Sequence, residues 1–256
     1  MSHHPKRRAG GSWWGPAAVS DMPATIADAN GDAQPISGAA SAFGGRCGSL
    51  PGGPRPDDTR EDEVATPALR LAQDPDADAL LARDPLALLV GMLLDQRVPL
   101  EWAFGAPYRL AKRLGWDSLD AGAIAAYDPE TFTKVMVGPP ALHRYPAVMA
   151  GRVQTLCRHL ADAYAGDAAA VWRTAPSGAE LLRRLRALPG FGEQKARIFV
   201  ALLGKQLGVC PPGWREAAGP YGEEGSRRSA ADVTDADSLA EVRAFKQAAR
   251  QAAKGG

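Results

Sequence analysis

The 256-residue chain carries 30 Lys and Arg against 29 Asp and Glu, a formal charge of +1, with 45% hydrophobic residues, 28 Gly and 21 Pro. The length allows one large domain or two small ones with a substantial core. So small a charge excludes a histone-like coat or generic polyanion binder, and a mean hydropathy of −0.23 without a long apolar run argues against a membrane span.

The chain begins MSHHPKRRAGGSWWGPAAV, which lacks the apolar segment of a secretory signal, so no export is expected. Residues 1–65 are rich in Gly, Pro, Ala, Ser and Asp, have no sustained period and close on an acidic stretch. They are expected to be a disordered tail, or an upstream extension of a shorter protein, with Trp13 and Trp14 the only hint of a binding role. They hold 6 basic and 8 acidic residues, which leaves 24 against 21, or +3, for the domain expected over 66–256.

From Thr66 onward the pattern turns helical. Asp74-Pro75, Asp84-Pro85 and Asp128-Pro129 each precede apolar residues at helical spacing, so Asp is placed to cap and Pro to occupy the first helical position. The periodicity predicts helices over about 75–82, 85–95, 100–113, 118–126, 129–136, 145–164, 167–173, 178–187, 193–207 and 236–252. No segment alternates with period two, so the expected class is all-α. LALLVGMLL, in the second helix, is apolar nearly all round and marks it as the central buried helix. The stretch 208–231 reads as one long irregular loop. In the last helix Leu239, Val242 and Phe245 are expected inward and Arg243, Lys246 and Arg250 outward.

Cys47, Cys157 and Cys210 are too few and too widely spaced for a disulfide framework or a four-cysteine metal site, so a reducing cytoplasm is the expected setting. His143 and His159 have no partner at metal-ligand spacing.

The most informative run is Glu180–Gly208, ELLRRLRALPGFGEQKARIFVALLGKQLG, which reads as helix, tight hairpin, helix. Gly190 and Gly192 allow turns and close approach, and the second helix offers free N–H groups and a positive dipole end to a phosphate. Arg183, Arg184, Arg186, Lys195, Arg197 and Lys205 add local positive charge. As plain structure, the same run is an αα-corner with a solvated basic face.

The run resembles the helix-hairpin-helix of the base-excision DNA glycosylase superfamily, and most of all its small bacterial members; the resemblance covers roughly Leu80 to Gln206. It implies a two-lobed, all-α body holding duplex DNA across a cleft, acting as a monomer. By the same resemblance Gly190, Gly192, Gln194 and Lys195 contact DNA, and Gln96 fills the gap left by an extruded base. The carbonyls of Arg186, Leu188 and Phe191 would hold a monovalent cation, K+ or Na+, and the family's iron–sulfur cluster is expected to be absent, because only Cys210 follows the hairpin.

Two departures bear on mechanism. Strand-cleaving members carry Lys two residues after the second hairpin glycine; that position is Gln194, and Lys195 lies about 100° further round the helix. The family's catalytic Asp is expected near 212–215, where the sequence is Pro212-Gly213-Trp214-Arg215. Loss of a base leaves oxocarbenium-like charge that a carboxylate stabilises while positioning water. Glu216 and Asp95 are the candidates, with Glu101, Glu223 and Glu224 more remote, and Trp214 and Tyr221 are the candidates for stacking on a flipped base. The expectation is a monofunctional DNA glycosylase acting in base-excision repair. The alternatives are a catalytically silent DNA-binding protein and an all-α module without a DNA role.

Overall fold

The computed structural model describes residues 69–255, and the expectations for residues 1–65, Trp13, Trp14 and Cys47 included, lie outside them. The described residues contain eleven α-helices and no strand: α1 (Pro75–Arg83), α2 (Pro85–Leu94), α3 (Leu100–Leu114), α4 (Ala121–Ala126), α5 (Pro129–Val137), α6 (Pro146–Tyr164), α7 (Ala170–Arg173), α8 (Gly178–Ala187), α9 (Glu193–Gln206), α10 (Trp214–Ala218) and α11 (Ala236–Gly255). None of them is long and apolar enough to cross a membrane.

The Asp-Pro pairs work as the sequence suggests. Asp74, Asp84 and Asp128 cap α1, α2 and α5, each with Pro at the start of the helix. Asp84 does more: one oxygen caps Ala87 N–H at 3.0 Å and the other accepts Leu119 N–H at 2.7 Å. This second bond draws Leu119 away from α4, which therefore begins at Ala121 behind the Asp120 cap rather than at 118.

Every residue of α2 from Leu86 to Leu94 is buried, as its apolar circumference requires, and α2 packs most heavily against α3. A second part of the core surrounds α9, where Phe199 meets Trp172 at 5.8 Å and Phe191 edge-on at 5.9 Å.

The stretch 208–231 is not one irregular loop. It contains α10 and a 3₁₀ turn at Gly219–Tyr221, and a second 3₁₀ turn follows at Ala230–Asp232. Asp232, its side chain 1% exposed, pairs with Lys205 of α9 at 2.6 Å and accepts the backbone N–H groups of Arg228 and Ser229 at 3.0 and 3.1 Å. Gln206 adds bonds to the carbonyls of Ala231 and Val233. Residues 226–233 are thereby stapled to the end of α9.

Candidate functional site

The Glu180–Gly208 run folds as α8, a tight turn and α9. Phe191 N–H donates to the Leu188 carbonyl at 3.0 Å to close the turn. Gly190 has φ +84°, and a Cβ there would stand 2.4 Å from Leu93 Cδ1 of the buried α2. The fold itself demands that glycine. Gly192 is different: its φ of −77° suits any residue, and a Cβ would meet nothing within 4 Å. It would project into open space at the start of α9, which has no side-chain cap, so the first N–H groups of that helix face outward.

The basic patch expected around the hairpin is largely a set of ion pairs. Glu180 holds Arg183 and Arg184 at 2.7 and 2.9 Å, while Glu193 holds Arg186 and Arg197, both at 2.7 Å. Lys205 is committed to Asp232. Lys195 turns inward: its Nζ donates to the carbonyls of Met92 and Leu93 at 2.6 and 3.0 Å, capping the end of α2. Burial pushes its ammonium down to about 8, against the opposing pull of Asp95 and with some help from Arg152.

Positive charge gathers instead in a cleft of about 1550 Å³ between the end of α2, the start of α3, α9, the Gly219–Tyr221 turn and α11. Lys195 lies on its α9 side. Arg97, Arg144 and Arg228 reach it from loops, and Arg243, Lys246 and Arg250 line it from α11. Seven basic side chains thus face only two acidic ones, Asp95 and Glu101, for a cleft charge of +5. The described residues together carry 24 basic and 21 acidic groups, or +3, so the cleft holds more net positive charge than the described residues do as a whole. The volume exceeds the roughly 300–1,000 Å³ of ordinary small-molecule pockets.

Asp95 sits at the C-terminal end of α2, inside the cleft, with Lys246 Nζ 3.9 Å from its carboxylate. Glu101 pairs with Arg243 of the same α11. Gln96 is anchored on three sides: its amide donates to Leu93 O at 2.7 Å, its Oε1 accepts from Arg152 at 2.8 Å, and its backbone carbonyl accepts from His143 Nε2 at 3.0 Å. Its side chain is tied back into the protein rather than projecting. Arg97 takes the exposed corner, with φ +59°. His143 is 1% exposed; its Nδ1 accepts the Tyr145 N–H at 3.0 Å, so the ring proton is on Nε2. Burial lowers its pKa, opposed by the bonds to the 94–96 backbone.

Several candidates lie elsewhere than the sequence suggests. Trp214, expected in an open loop, belongs to α10 and is 7% exposed; its ring packs over Gly204 of α9, with the Arg215 guanidinium 4.6 Å from its centroid. It is a core residue, with no face free for a base. Glu216 is exposed but lines a separate hollow of about 450 Å³ with Glu223 and Glu224, outside the main cleft. Tyr221 does line the cleft, where its hydroxyl accepts a bond from the Gln194 amide at 3.0 Å. Phe245, expected inward, is 44% exposed on the cleft side of α11 with Arg228 over its ring, while Arg243 and Lys246, on the outward face as expected, line the cleft. Of the carbonyls assigned to a cation, that of Leu188 already accepts from Phe191, leaving those of Arg186 and Phe191 open among the described residues.

Sequence reasoning missed Arg97, Arg144 and Arg228 as cleft residues, and missed His143 as the post joining the loop that carries Gln96 to the turn before α6. Isolated loop arginines carry no periodic signal. His143-Arg144-Tyr145-Pro146, a helix-entry segment dense in side chains able to contact nucleic acid, was the available clue. The fold and site define an all-helical domain with a basic cleft beside a helical hairpin. No protein-family model, curated protein or solved structure matches the chain.

Proposed function

We propose that this chain is a helix-hairpin-helix protein of the base-excision DNA glycosylase type, a monomer that binds duplex DNA across two lobes flanking the cleft. The observation that carries the reading is the cleft's +5 charge, set beside the uncapped start of α9 in a domain whose described residues total only +3. A phosphate at Gly192 would receive the backbone N–H groups of α9, and the cleft cations would follow the flanking backbone.

In this reading a damaged or mispaired base is turned out of the stack into the cleft, and water hydrolyses its N-glycosidic bond. Asp95 stabilises the developing positive charge on the sugar and orients the water. Glu216 is set aside because it lines the other hollow. Strand cleavage by an amine is not part of the proposal: Gln194 holds the relevant position, and Lys195 is engaged with the end of α2. The open carbonyls of Arg186 and Phe191 suit a monovalent cation that would steady the hairpin against phosphate.

The test is base release from duplexes bearing one alkylated, deaminated, oxidised or mispaired base, revealed by alkali. Release that vanishes in D95N and persists in E216Q supports the reading. The second reading, a catalytically silent DNA-binding protein, is favoured by the absence of any carboxylate at 212–215 and by the Lys246 partner that Asp95 already has. Duplex binding without release from any substrate would select it.

A further inference from the structure

We infer that Gln194, held by Tyr221, reads the polar edge of the base taken into the cleft, and that this base presents a hydrogen-bond donor beside an acceptor on an unblocked edge. The inference rests on the glycosylase reading above and narrows its substrate class.

Most polar groups of the cleft are charged and suit phosphate. Gln194 and Tyr221 are neutral, and they are bonded to each other at 3.0 Å. One amide N–H of Gln194 is spent on the Tyr221 hydroxyl, which fixes the plane of the carboxamide. Its second N–H and its Oε1 take no partner among the described residues. The tyrosine oxygen, having accepted, keeps its own proton to donate. A held amide that presents one donor and one acceptor is the arrangement used to read base edges bidentately, and it has little use for a phosphate. Ile198, one turn further along the same face of α9, and Met92 of α2 add apolar surface in the same cleft for a planar ring.

A ring N–H beside a carbonyl, as in hypoxanthine or uracil, matches the free acceptor and donor of Gln194. An edge closed by an etheno bridge, as in 1,N6-ethenoadenine, does not. If the Gln194–Tyr221 bond serves only to pin the Gly219–Tyr221 turn to α9, loss of either partner will lower stability and leave base preference unchanged.

The experiment measures single-turnover base release by the full-length protein from duplexes carrying one hypoxanthine, uracil or 1,N6-ethenoadenine, for wild type, Q194A, Q194E and Y221F. Thermal melts run alongside, and the near-isosteric Q194E carries the comparison should Q194A fail to fold. The expected result is release of hypoxanthine or uracil at least tenfold faster than ethenoadenine by wild type, a loss of that preference in Q194A and Q194E, and a smaller loss in Y221F. Release with base preference unchanged in the Gln194 variants, or a wild-type preference for ethenoadenine, overturns the inference while leaving the glycosylase reading standing. Release from no duplex overturns that reading, and this inference falls with it.

Discussion

Lys246 Nζ lies 3.9 Å from the Asp95 carboxylate, so a cation of the last helix faces the one acid at the end of the central buried helix. Glu101 is held by Arg243, one turn earlier on α11. Both acids of the cleft are therefore paired with α11. If Asp95 carries the chemistry, D95N reduces base release by about 10²–10³-fold, in the range lost when a single electrostatic stabiliser is removed, with duplex affinity unchanged or raised. E216Q leaves release unchanged. Single-turnover rates together with binding titrations check both.

Lys195 gives a pH-dependent stability with a defined sign. Its native pKa of about 8 lies below the ordinary 10.5, so on raising the pH the native state loses this proton before the unfolded chain does. Stability from this group therefore rises between about pH 8 and 10.5 and is absent below. The neutral amine still has two hydrogens for the carbonyls of Met92 and Leu93. Urea unfolding at pH 7.0 and 9.5 is expected to show wild type gaining about 2 kcal/mol relative to K195M over that interval.

His143 behaves in the acid range. Its native pKa is lowered, so the unfolded chain takes up the proton first as pH falls through the ordinary 6.5, and stability is lost below that value. Protonation also removes the Nδ1 acceptor from the Tyr145 N–H, loosening the corner that carries Gln96 and Arg97. An NMR titration is expected to find the Nε2–H tautomer at neutral pH and a midpoint below 6.5. H143F is expected to lose this slope.

Asp232 is the buried anchor of residues 226–233, with Lys205 and two backbone N–H groups on its carboxylate. D232N leaves the Lys205 charge without its partner and costs about 3–5 kcal/mol, measurable by denaturant unfolding. Because the same segment carries Arg228 into the cleft, duplex affinity is expected to fall as well.

Much of the architecture was legible because it is written in local chemistry. Asp caps followed by Pro mark the starts of α1, α2 and α5, and the apolar run of α2 announces its burial. The hairpin turn followed from Leu188-Pro189-Gly190. Features set by tertiary contact were not legible: Asp84 reaching Leu119 shortens α4, and Gly204 makes room for the Trp214 ring, so that an aromatic in a Gly/Pro-rich stretch becomes core. For the site, residue types pointed to the hairpin, but charge alone could not show that Glu180 and Glu193 neutralise its arginines. Nor could the helical pattern of α11 show that its polar face lines a cleft, since an outward face and a cleft face have the same period.

Whether the start of α9 receives a DNA phosphate is decided at Gly192. The position has ordinary backbone angles and open space where a Cβ would go, so G192A is expected to fold, at a cost of about 1 kcal/mol for Ala in place of Gly at the helix N-cap. G190A, with φ +84° and Leu93 in the way, is expected to lose about 1–3 kcal/mol and is the wrong probe. The measurement is the affinity of G192A for an undamaged duplex at low and moderate salt. A loss of at least tenfold with the native fold retained is expected; affinity equal to that of a duplex-binding wild type, or no duplex binding by wild type at all, refutes the phosphate site.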